Sequence, residues 1–458
     1  MAQQFKDQGG AATMDPSAIR RWLLSKVVSY RFSEGQVNKR RKQAEKRRCS
    51  QSRPYVVEYF HQVDDGYSHL AAQLLNRFAQ RYNVELRCHL VRGPEGKNVS
   101  DAELLLRLSR YDSALIASQY GLSFPKSTDA PAEQSVKLAQ SILASLDERT
   151  LVQHIANVSE ALWSGNVTKL DQLASDLGHV ESSQVAERLK AGTARRAELK
   201  HYSGAMFYHE GEWYWGVDRL HYLEARLAEL GLDSAAGEGL IAPCPDVDLG
   251  VHADCSGLTL EFFPSVRSPY TAIVFDETVA LAERAGVNFR VCPVLPMVMR
   301  GVPATREKGM YIFFDAAREA RRRGVPYGNF FDPIGDPVRR CYSIYPWAVK
   351  QGLGTELLSS FLQHAFAKGV NTNTNRGLRR VVEAAGLNWS DAKCHIGEPE
   401  WQEILEDNRL TMYNGGLWGV PSYRLLGASR SPLLEVWGQD RLWLVAREIR
   451  RYQDHQSA

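Results

Sequence analysis

The hydrophobic positions of this chain follow an order of short apolar runs and amphipathic helices. The run "TLEFF" is followed by "TAIVFDETVALAERAG", in which apolar residues recur at helical spacing, and then by a second apolar run, "VNFRVCPVL". This pattern predicts a βαβ unit with parallel strands and a right-handed crossover. A long, mainly helical stretch follows, and the copy closes with "GVPSYRLLGAS", "LLEVWG" and a helix that begins near Gln439. The pattern therefore predicts an α/β fold with a helical insertion.

The same order occurs earlier in the chain. "EWYWGVDRLHYLEARL" matches "LEVWGQDRLWLVAREI", and "VVEYFHQVDDGYSHL" can be aligned with "TLEFFPSVRSPYTAI". Tyr67 then corresponds to Tyr270, 203 residues later, whereas Trp215 corresponds to Trp437, 222 residues later. The sequence therefore predicts a tandem repeat whose second copy carries about 19 additional residues in its middle or late portion, where insertions are tolerated.

Composition marks the boundaries of the copies. Residues 242–257 are rich in Pro, Gly and Asp and lack periodicity, which predicts a linker between a first copy at 54–241 and a second at 258–458. Residues 1–53 form a basic, partly helical extension. Its cluster from Lys39 to Arg48 is interpreted as the solvated part of a helix, with contact to RNA or an acidic surface as the alternative. Before this cluster, apolar residues fall near helical spacing: Ile19, Trp22, Leu23, Val27 and Tyr30.

The overall composition argues against several classes of protein. With 44% hydrophobic and 24% charged residues, the chain has the composition of a globular protein, and no run approaches the roughly 20 apolar residues of a membrane span. The N-terminus lacks the pattern of a secretory signal, so a cytoplasmic location and no membrane partner are expected. The net charge of +3 makes a nucleic-acid partner for the whole chain unexpected. The seven cysteines show neither CxxC nor zinc-ligand spacing, so no disulfide framework and no metal site are expected.

The order βαβ, helices, ββα resembles a known family. Ser268-Pro269-Tyr270 follows the first strand of the second copy, Val420-Pro421 leads into the third strand, and "KGMYIFFDAAREARRRGVP" and "WGQDRL" stand in the expected order. These residues resemble the DsbA-like group of thioredoxin folds, and most closely 2-hydroxychromene-2-carboxylate isomerases and kappa-class glutathione transferases. The resemblance covers the second copy well and the first in a degraded form. It implies two tandem thioredoxin-like (DsbA-like) domains, each with a helical insertion.

Ser268 is the predicted catalytic residue. Serine is a favoured N-cap and proline a favoured first helical residue, so Ser268-Pro269 would begin a helix even without a function. The unpaired amides and the dipole of a helix start also favour an anion. The resemblance implies that Ser268 stabilises the thiolate of bound glutathione. No cysteine stands at this turn, which disfavours thiol-disulfide exchange.

The resemblance also assigns residues to glutathione binding. Val420-Pro421 corresponds to a cis-proline turn, where the backbone of Val420 would pair with the cysteinyl unit; an ordinary trans proline at a strand edge is the alternative. Asp440 and Arg441 correspond to the segment that holds the γ-glutamyl end, with a carboxylate for the ammonium group. A capped helix with a surface ion pair is the alternative for this segment.

Four polar residues fall on one face of a predicted helix: Lys308, Tyr311, Asp315 and Arg318. The resemblance places this helix over the cleft. Lys308 is expected to contact the substrate, Asp315 to form an ion pair, and Tyr270 either to line the pocket or simply to pack. The Gly-Asn segment typical of the family is absent from "MVMRGVPATREKG", which leaves the substrate open.

The first copy departs from the family at the Ser-Pro and Val-Pro positions. Asp65 and Gly66 stand at the serine and proline positions, and Met206 stands where the Val-Pro turn is expected. A carboxylate would repel a thiolate. The first copy is therefore predicted to be a catalytically silent structural partner that mimics the second subunit of a homodimer.

Taken together, these features predict a glutathione-dependent isomerase or transferase acting on an aromatic or unsaturated electrophilic acid. A non-catalytic DsbA-like binding or scaffold protein is the alternative from another class, favoured by the degraded first copy, and a thiol-disulfide oxidoreductase is the third. The expected partners are a small-molecule substrate and either a second copy of the chain or an intramolecular pseudo-dimer.

Overall fold

A computed structural model describes residues 15–99, 102–127, 129–248, 254–302 and 304–457. The chain divides into two compact units. We call residues 39–245 the N-terminal unit. The C-terminal unit consists of residues 246–458 together with the described part of residues 1–38. The N-terminal extension is therefore shared between the two units.

The extension and the N-terminal unit contain ten helices and four strands within the described residues. The extension forms α1 (Ala18–Phe32) and α2 (Glu34–Ser50). The elements that follow are β1 (Val56–His61), α3 (Gly66–Ala72), α4 (Leu75–Arg81), β2 (Glu85–Leu90), α5 (Ala102–Ile116), α6 (Glu133–Ser145), α7 (Glu148–Trp163), α8 (Val167–Leu177), α9 (Ser182–Glu198), β3 (Met206–His209), β4 (Glu212–Trp215) and α10 (Gly216–Glu229). The strand order is β2-β1-β3-β4.

The C-terminal unit repeats this plan. Its elements are β5 (Thr259–Phe263), α11 (Pro269–Ala285), β6 (Asn288–Val291), α12 (Arg306–Arg323), α13 (Asp336–Lys350), α14 (Gly354–Phe366), α15 (Asn375–Ala384), α16 (Trp389–Ala392), α17 (Glu400–Asn414), β7 (Ser422–Leu426), β8 (Pro432–Trp437) and α18 (Leu442–Ser457). The strand order is β6-β5-β7-β8. In both sheets the first strand pairs parallel with the second, as the βαβ pattern predicts, and antiparallel with the third.

The central strand of each sheet is buried along most of its length. Phe60 in β1 and Phe263 in β5 are fully buried, as are most of their neighbours. Each strand also carries one buried carboxylate that contacts two basic side chains. Glu58 pairs with His89 and Arg195. Its counterpart, Glu261, pairs with Arg290 and Arg424. Pairing of this kind is what a buried charge requires.

Strand register locates the additional residues of the second copy. Phe60 pairs with Met206, and Phe263 pairs with Ser422, so the third strands correspond at a separation of 216 residues. The separation is 203 at the first strands and 222 at the fourth. Of the 19 additional residues, 13 therefore lie between the first and third strands and six in the closing hairpin.

The register also corrects one sequence assignment. Because Met206 corresponds to Ser422, the counterpart of Pro421 is Ala205 rather than Met206. Ala205 has a positive φ of 55°. Its carbonyl accepts a hydrogen bond from Gly216, as that of Pro421 does from Gly438. The prediction was off by one residue because the sequence alone did not fix where the 19 additional residues fall.

Within the described part of the chain, no helix is both long and apolar enough to span a bilayer.

Candidate functional site

Ser268 caps helix α11. Its Oγ accepts a hydrogen bond from the backbone amide of Thr271 at 3.2 Å, and Pro269 is the first helical residue. Serine and proline are favoured in these positions because the oxygen satisfies an unpaired amide and the ring fixes a helical φ. The half-buried hydroxyl therefore lies at the end of a helix of 17 residues, where the dipole favours an anion.

The turn before β7 lies directly against this hydroxyl. The Val420-Pro421 peptide bond is cis, and the Oγ of Ser268 donates to the carbonyl of Val420 at 3.4 Å. Within the described residues, the backbone amide of Val420 makes no backbone hydrogen bond. At this helix N-terminus, the serine hydroxyl thus contacts the carbonyl of a residue whose own amide makes no backbone hydrogen bond among the described residues.

The segment that starts the last helix joins the same turn. The Gly438 amide donates to the Pro421 carbonyl at 2.9 Å. Gly438 has a φ of 113°, which only glycine adopts readily, and a Cβ there would come within 2.5 Å of Asp440 Oδ1. Asp440 is half-buried, whereas Arg441 is almost fully buried and donates to the Asp440 carbonyl at 3.2 Å. Through Gly438, the segment that contains Asp440 and Arg441 is therefore joined to the Val420-Pro421 turn.

A polar network beside this segment was not anticipated from the sequence. Gln439 is almost fully buried, and its side-chain amide donates to Glu319 at 3.1 Å. Arg323 donates to the Gln439 side-chain carbonyl at 2.7 Å and pairs with Glu277. Glu319 and Arg323 lie at i and i+4 on α12, a spacing that could have indicated the pair. The contact with Gln439, 116 residues away, could not be read from the sequence.

Tyr270 contacts Asp315 and the apolar core. Its hydroxyl donates to Asp315 Oδ2 at 2.9 Å, and its ring packs against a buried cluster that includes Ile273 and Ala316. Asp315 also pairs with Arg318 at 2.5 Å. In the N-terminal unit, the hydroxyl of Tyr67 donates to Asp112 Oδ2 at 2.8 Å. This geometry makes the Tyr–Asp pair a shared structural feature of both units.

Lys308 lies at the start of α12, seven residues before Asp315. That spacing corresponds to about 10 Å along the helix axis. The Lys308 amide donates to Thr305 Oγ1, the cap of the helix. Burial lowers the pKa of the half-buried Lys308 side chain from its usual range. The role of Lys308 as a substrate contact stays a prediction.

The cysteines closest in sequence to the Ser268 turn are buried. Cys255 and Cys292 are both almost inaccessible to solvent. Burial raises the pKa of the Cys292 thiol to about 12, and Glu261 contributes in the same direction. A reactive cysteine needs a low pKa and some exposure. Neither position therefore has the properties of a disulfide-exchange residue.

The corresponding turn of the N-terminal unit is built differently. Asp65 caps α3, and its Oδ2 accepts from the amide and the hydroxyl of Ser68 at 2.9 and 2.8 Å. Burial raises the pKa of Asp65 to about 6, although these hydrogen bonds oppose the shift. Gly204 and Ala205 take the places of Val420 and Pro421. The cap is retained at this turn, but the hydroxyl and the proline turn are not.

Comparison with protein families agrees with the fold of the C-terminal unit. Residues 259–450 match the model of the DSBA-like thioredoxin domain. The match begins at β5, ends within α18, and covers Ser268, the cis-proline turn and Asp440. A DsbA-like thioredoxin fold in the C-terminal half is therefore shown. The N-terminal unit has a sheet of the same strand order but lies outside the matched residues. A comparison with curated proteins gave no match.

Several solved structures are similar to parts of the chain. A 2-hydroxychromene-2-carboxylate isomerase is 16% identical, with 43% of this chain and 98% of that one covered and a TM-score of 0.36. The cytosolic disulfide reductase DsbM from Pseudomonas aeruginosa with GSH is 19% identical, with 43% and 98% covered and a TM-score of 0.33. DsbA from Chlamydia trachomatis is 13% identical, with 44% and 91% covered and a TM-score of 0.29. The fold assignment rests on the family model and the strand order.

Proposed function

Because residues 259–450 form a DsbA-like thioredoxin domain, we propose that the C-terminal unit binds glutathione and acts as a glutathione-dependent isomerase or transferase on an aromatic or unsaturated electrophilic acid. The observation that carries this proposal is the contact between the hydroxyl of Ser268 and the carbonyl of Val420 at the N-terminus of α11. That contact puts a donor for an anion beside a peptide edge that could pair with a peptide-like ligand.

Ser268 is suited to hold a thiolate. Its Oγ accepts from the Thr271 amide, which leaves the hydroxyl proton for another acceptor. At 3.4 Å, the bond to the Val420 carbonyl is long, so a charged acceptor can replace it at little cost. The end of the α11 dipole adds to the stabilisation of negative charge.

The neighbouring turn is suited to a peptide. The amide of Val420 and its carbonyl could each form a hydrogen bond with the cysteinyl unit of glutathione. Asp440 at the start of α18 could accept from the ammonium group of the γ-glutamyl end, with Arg441 positioning that segment through the Asp440 carbonyl. Lys308, whose pKa is lowered by burial, is the proposed contact for the acidic substrate.

When bound, glutathione supplies a thiolate nucleophile that can add reversibly to an electrophilic carbon. The role of Ser268 is to keep that sulfur ionised and oriented at the helix end. The same arrangement would serve isomerisation or conjugation, because in either reaction Ser268 would hold the sulfur at the helix N-terminus.

The test is a calorimetric titration of glutathione into the wild type and three variants. Ser268→Ala should weaken binding about 10- to 100-fold and raise the pKa of the bound thiol, because a hydrogen bond to a charged group is lost. Ser268→Thr keeps the hydroxyl and should retain most of the affinity. Thr374→Ala removes the cap of α15 in the same unit, where Thr374 accepts from Gly377 at 3.0 Å, and controls for loss of a helix cap alone.

Three outcomes would contradict the proposal. If the folded wild type did not bind glutathione, glutathione would be excluded as the cofactor and the scaffold function would be favoured. Equal weakening in Ser268→Ala and Thr374→Ala would reduce Ser268 to a structural cap. An unchanged thiol pKa in Ser268→Ala would show that the hydroxyl does not contact the sulfur.

A further inference from the structure

Helix α1 is oriented with its polar face toward the protein. Arg21 and Ser25 are fully buried within the C-terminal unit. Six large apolar residues of the same helix are instead exposed: Ile19 (79%), Trp22 (52%), Leu23 (54%), Leu24 (49%), Val27 (42%) and Tyr30 (62%). Surface helices usually bury the apolar face, so this arrangement is the reverse of the common one.

Specific contacts fix this orientation. Arg21 Nη1 donates to the carbonyl of Asp332 at 2.8 Å and also to that of Ile334. Ser25 Oγ accepts from the Asp332 amide at 3.0 Å. One turn further on, Ser29 Oγ accepts from the Phe330 amide at 2.9 Å. Rotation of α1 to bury its apolar face would leave these donors and acceptors without partners.

The last residue of α1 completes the docking. The ring of Phe32 is buried and contacts Phe313 and Phe314 of α12, with centroid separations of 5.6 and 4.5 Å. The C-terminal end of the helix is therefore anchored by an aromatic contact and its middle by polar contacts. Together these contacts hold the opposite face toward solvent.

Five of these six exposed residues form one stripe. Ile19, Leu23, Val27 and Tyr30 are spaced by four, four and three residues, which places them on one side of the helix, and Trp22 lies beside them. The stripe lies on the outward-facing side of a single helix, so it can lie along a flat surface. The rings of Trp22 and Tyr30 each have an apolar body and a polar atom, which suits a boundary between apolar and polar phases.

Positive charge accompanies the stripe on α1, and the sequence that follows is also basic. Arg20, Lys26 and Arg31 are exposed on α1. In sequence, the next helix adds further exposed cations: Lys39, Arg40, Lys42, Lys46 and Arg47. Residues 18–50 contain eleven Lys and Arg but only two Glu, whereas the whole chain has a net charge of only +3. A second copy would bring the same positive charge, so the charge favours an anionic partner.

We propose that the exposed face of α1, defined by Ile19, Trp22, Leu23, Val27 and Tyr30, binds the surface of a bilayer that contains anionic lipids. The apolar side chains would enter the headgroup boundary, and Arg20, Lys26 and Arg31 of the same helix would contact lipid phosphates. The sequence alone led us to expect no membrane partner. The proposal concerns one helix lying on the surface, and it is independent of the glutathione site.

The test is sedimentation of the full chain with vesicles of phosphatidylcholine alone and with vesicles that also contain phosphatidylglycerol. Wild type should bind the phosphatidylglycerol vesicles, more weakly as salt is raised, and should bind phosphatidylcholine vesicles at least tenfold less. The double variant Ile19→Glu/Leu23→Glu should lose at least tenfold in binding. The matched control is Val167→Glu/Val349→Glu, which makes the same charge change at two exposed valines elsewhere (54% and 50%) and should bind as wild type.

A second variant separates the electrostatic contribution. Arg20→Gln/Lys26→Gln keeps the apolar stripe and should lower binding to anionic vesicles several-fold without changing the melting temperature. Absence of vesicle binding by the wild type would overturn the proposal, as would equal binding to both vesicle types. Unchanged binding in Ile19→Glu/Leu23→Glu would do the same. So would a wild-type dimer that dissociates in that variant without any binding to lipid, because the face would then belong to a second copy.

Discussion

The two units place different chemistry at the same position of the same fold. In both, a helix that follows the first strand is capped by a side chain, at Ser268 and at Asp65. The C-terminal unit sets the cap against a cis Val420-Pro421 turn, whereas the N-terminal unit has Gly204 and Ala205 there. The cap is thus a requirement of the fold. The hydroxyl and the proline turn are not, and this difference separates a candidate site from its structural counterpart.

The largest expected effect is on activity. Ser268→Ala should lower the rate of glutathione-dependent isomerisation or conjugation about 100-fold, since loss of one donor to a developing charge costs that much in other enzymes. Asp65→Ala should leave the rate within about twofold, because the N-terminal turn lacks the hydroxyl and the proline. The measurement is kcat/KM for both variants. Comparable losses would mean that the N-terminal unit is not silent.

The second prediction concerns the close packing around Gly66, which leaves no room for a proline at this turn. Gly66 stands where Pro269 stands, and a Cβ at this position would lie 2.8 Å from Ser113 Oγ and 3.2 Å from Ser113 Cβ. Gly66→Ala should therefore lower the free energy of unfolding of the N-terminal unit by about 1–3 kcal/mol. Faster hydrogen exchange in α3 and β1 is the measurement. Gly35→Ala in α2, where nothing lies within 4 Å, is the control and should not destabilise.

The third prediction concerns the tyrosine–aspartate hydrogen bond that both units share. Tyr67→Phe and Tyr270→Phe each remove one hydrogen bond to a buried aspartate. Each should lower the free energy of unfolding of its own unit by about 1–2 kcal/mol, measured by urea denaturation. Neither should change glutathione affinity. If Tyr270→Phe alone lowered affinity or kcat, its hydroxyl would have a role in the site beyond the shared structural pair.

The smallest effect is a dependence of stability on pH. Burial raises the pKa of Asp65 from an ordinary 3.8 to about 6, so the folded state binds more protons than the unfolded state between these values. Stability therefore falls as pH rises through that window. Asp65→Asn should be more stable than wild type at neutral pH by on the order of 1 kcal/mol, a figure reduced because the group is partly exposed to solvent.

The melting temperatures of wild type and Asp65→Asn, followed from acidic to neutral pH, are the measurement. The difference should disappear below about pH 4, where the carboxyl group is protonated in both states. Ser268→Thr is the control in the C-terminal unit. Its difference in melting temperature from wild type should not vary with pH, because neither side chain titrates in this range. A stability difference that does not vary with pH would contradict the raised pKa of Asp65.

The sequence by itself determined the elements and much of the candidate site. Periodicity predicted the βαβ openings, and the residue types at Ser268 and Pro269 predicted the start of α11, because caps are local interactions between neighbours in the chain. The repeat indicated the Tyr67–Asp112 and Tyr270–Asp315 correspondence, since both pairs keep one separation. The family model confirms a DsbA-like fold for residues 259–450.

Only the tertiary structure decided which distant residues meet. The contact of Ser268 with Val420 spans 152 residues, and that of Arg323 with Gln439 spans 116. It also decided that α1 turns Arg21 inward and leaves Ile19 exposed, the reverse of what its apolar residues favour. Local spacing cannot show such an outcome, because the backbone carbonyls that bind Arg21 lie more than 300 residues further along the chain. Packing and hydrogen bonding across that separation set the orientation of the helix.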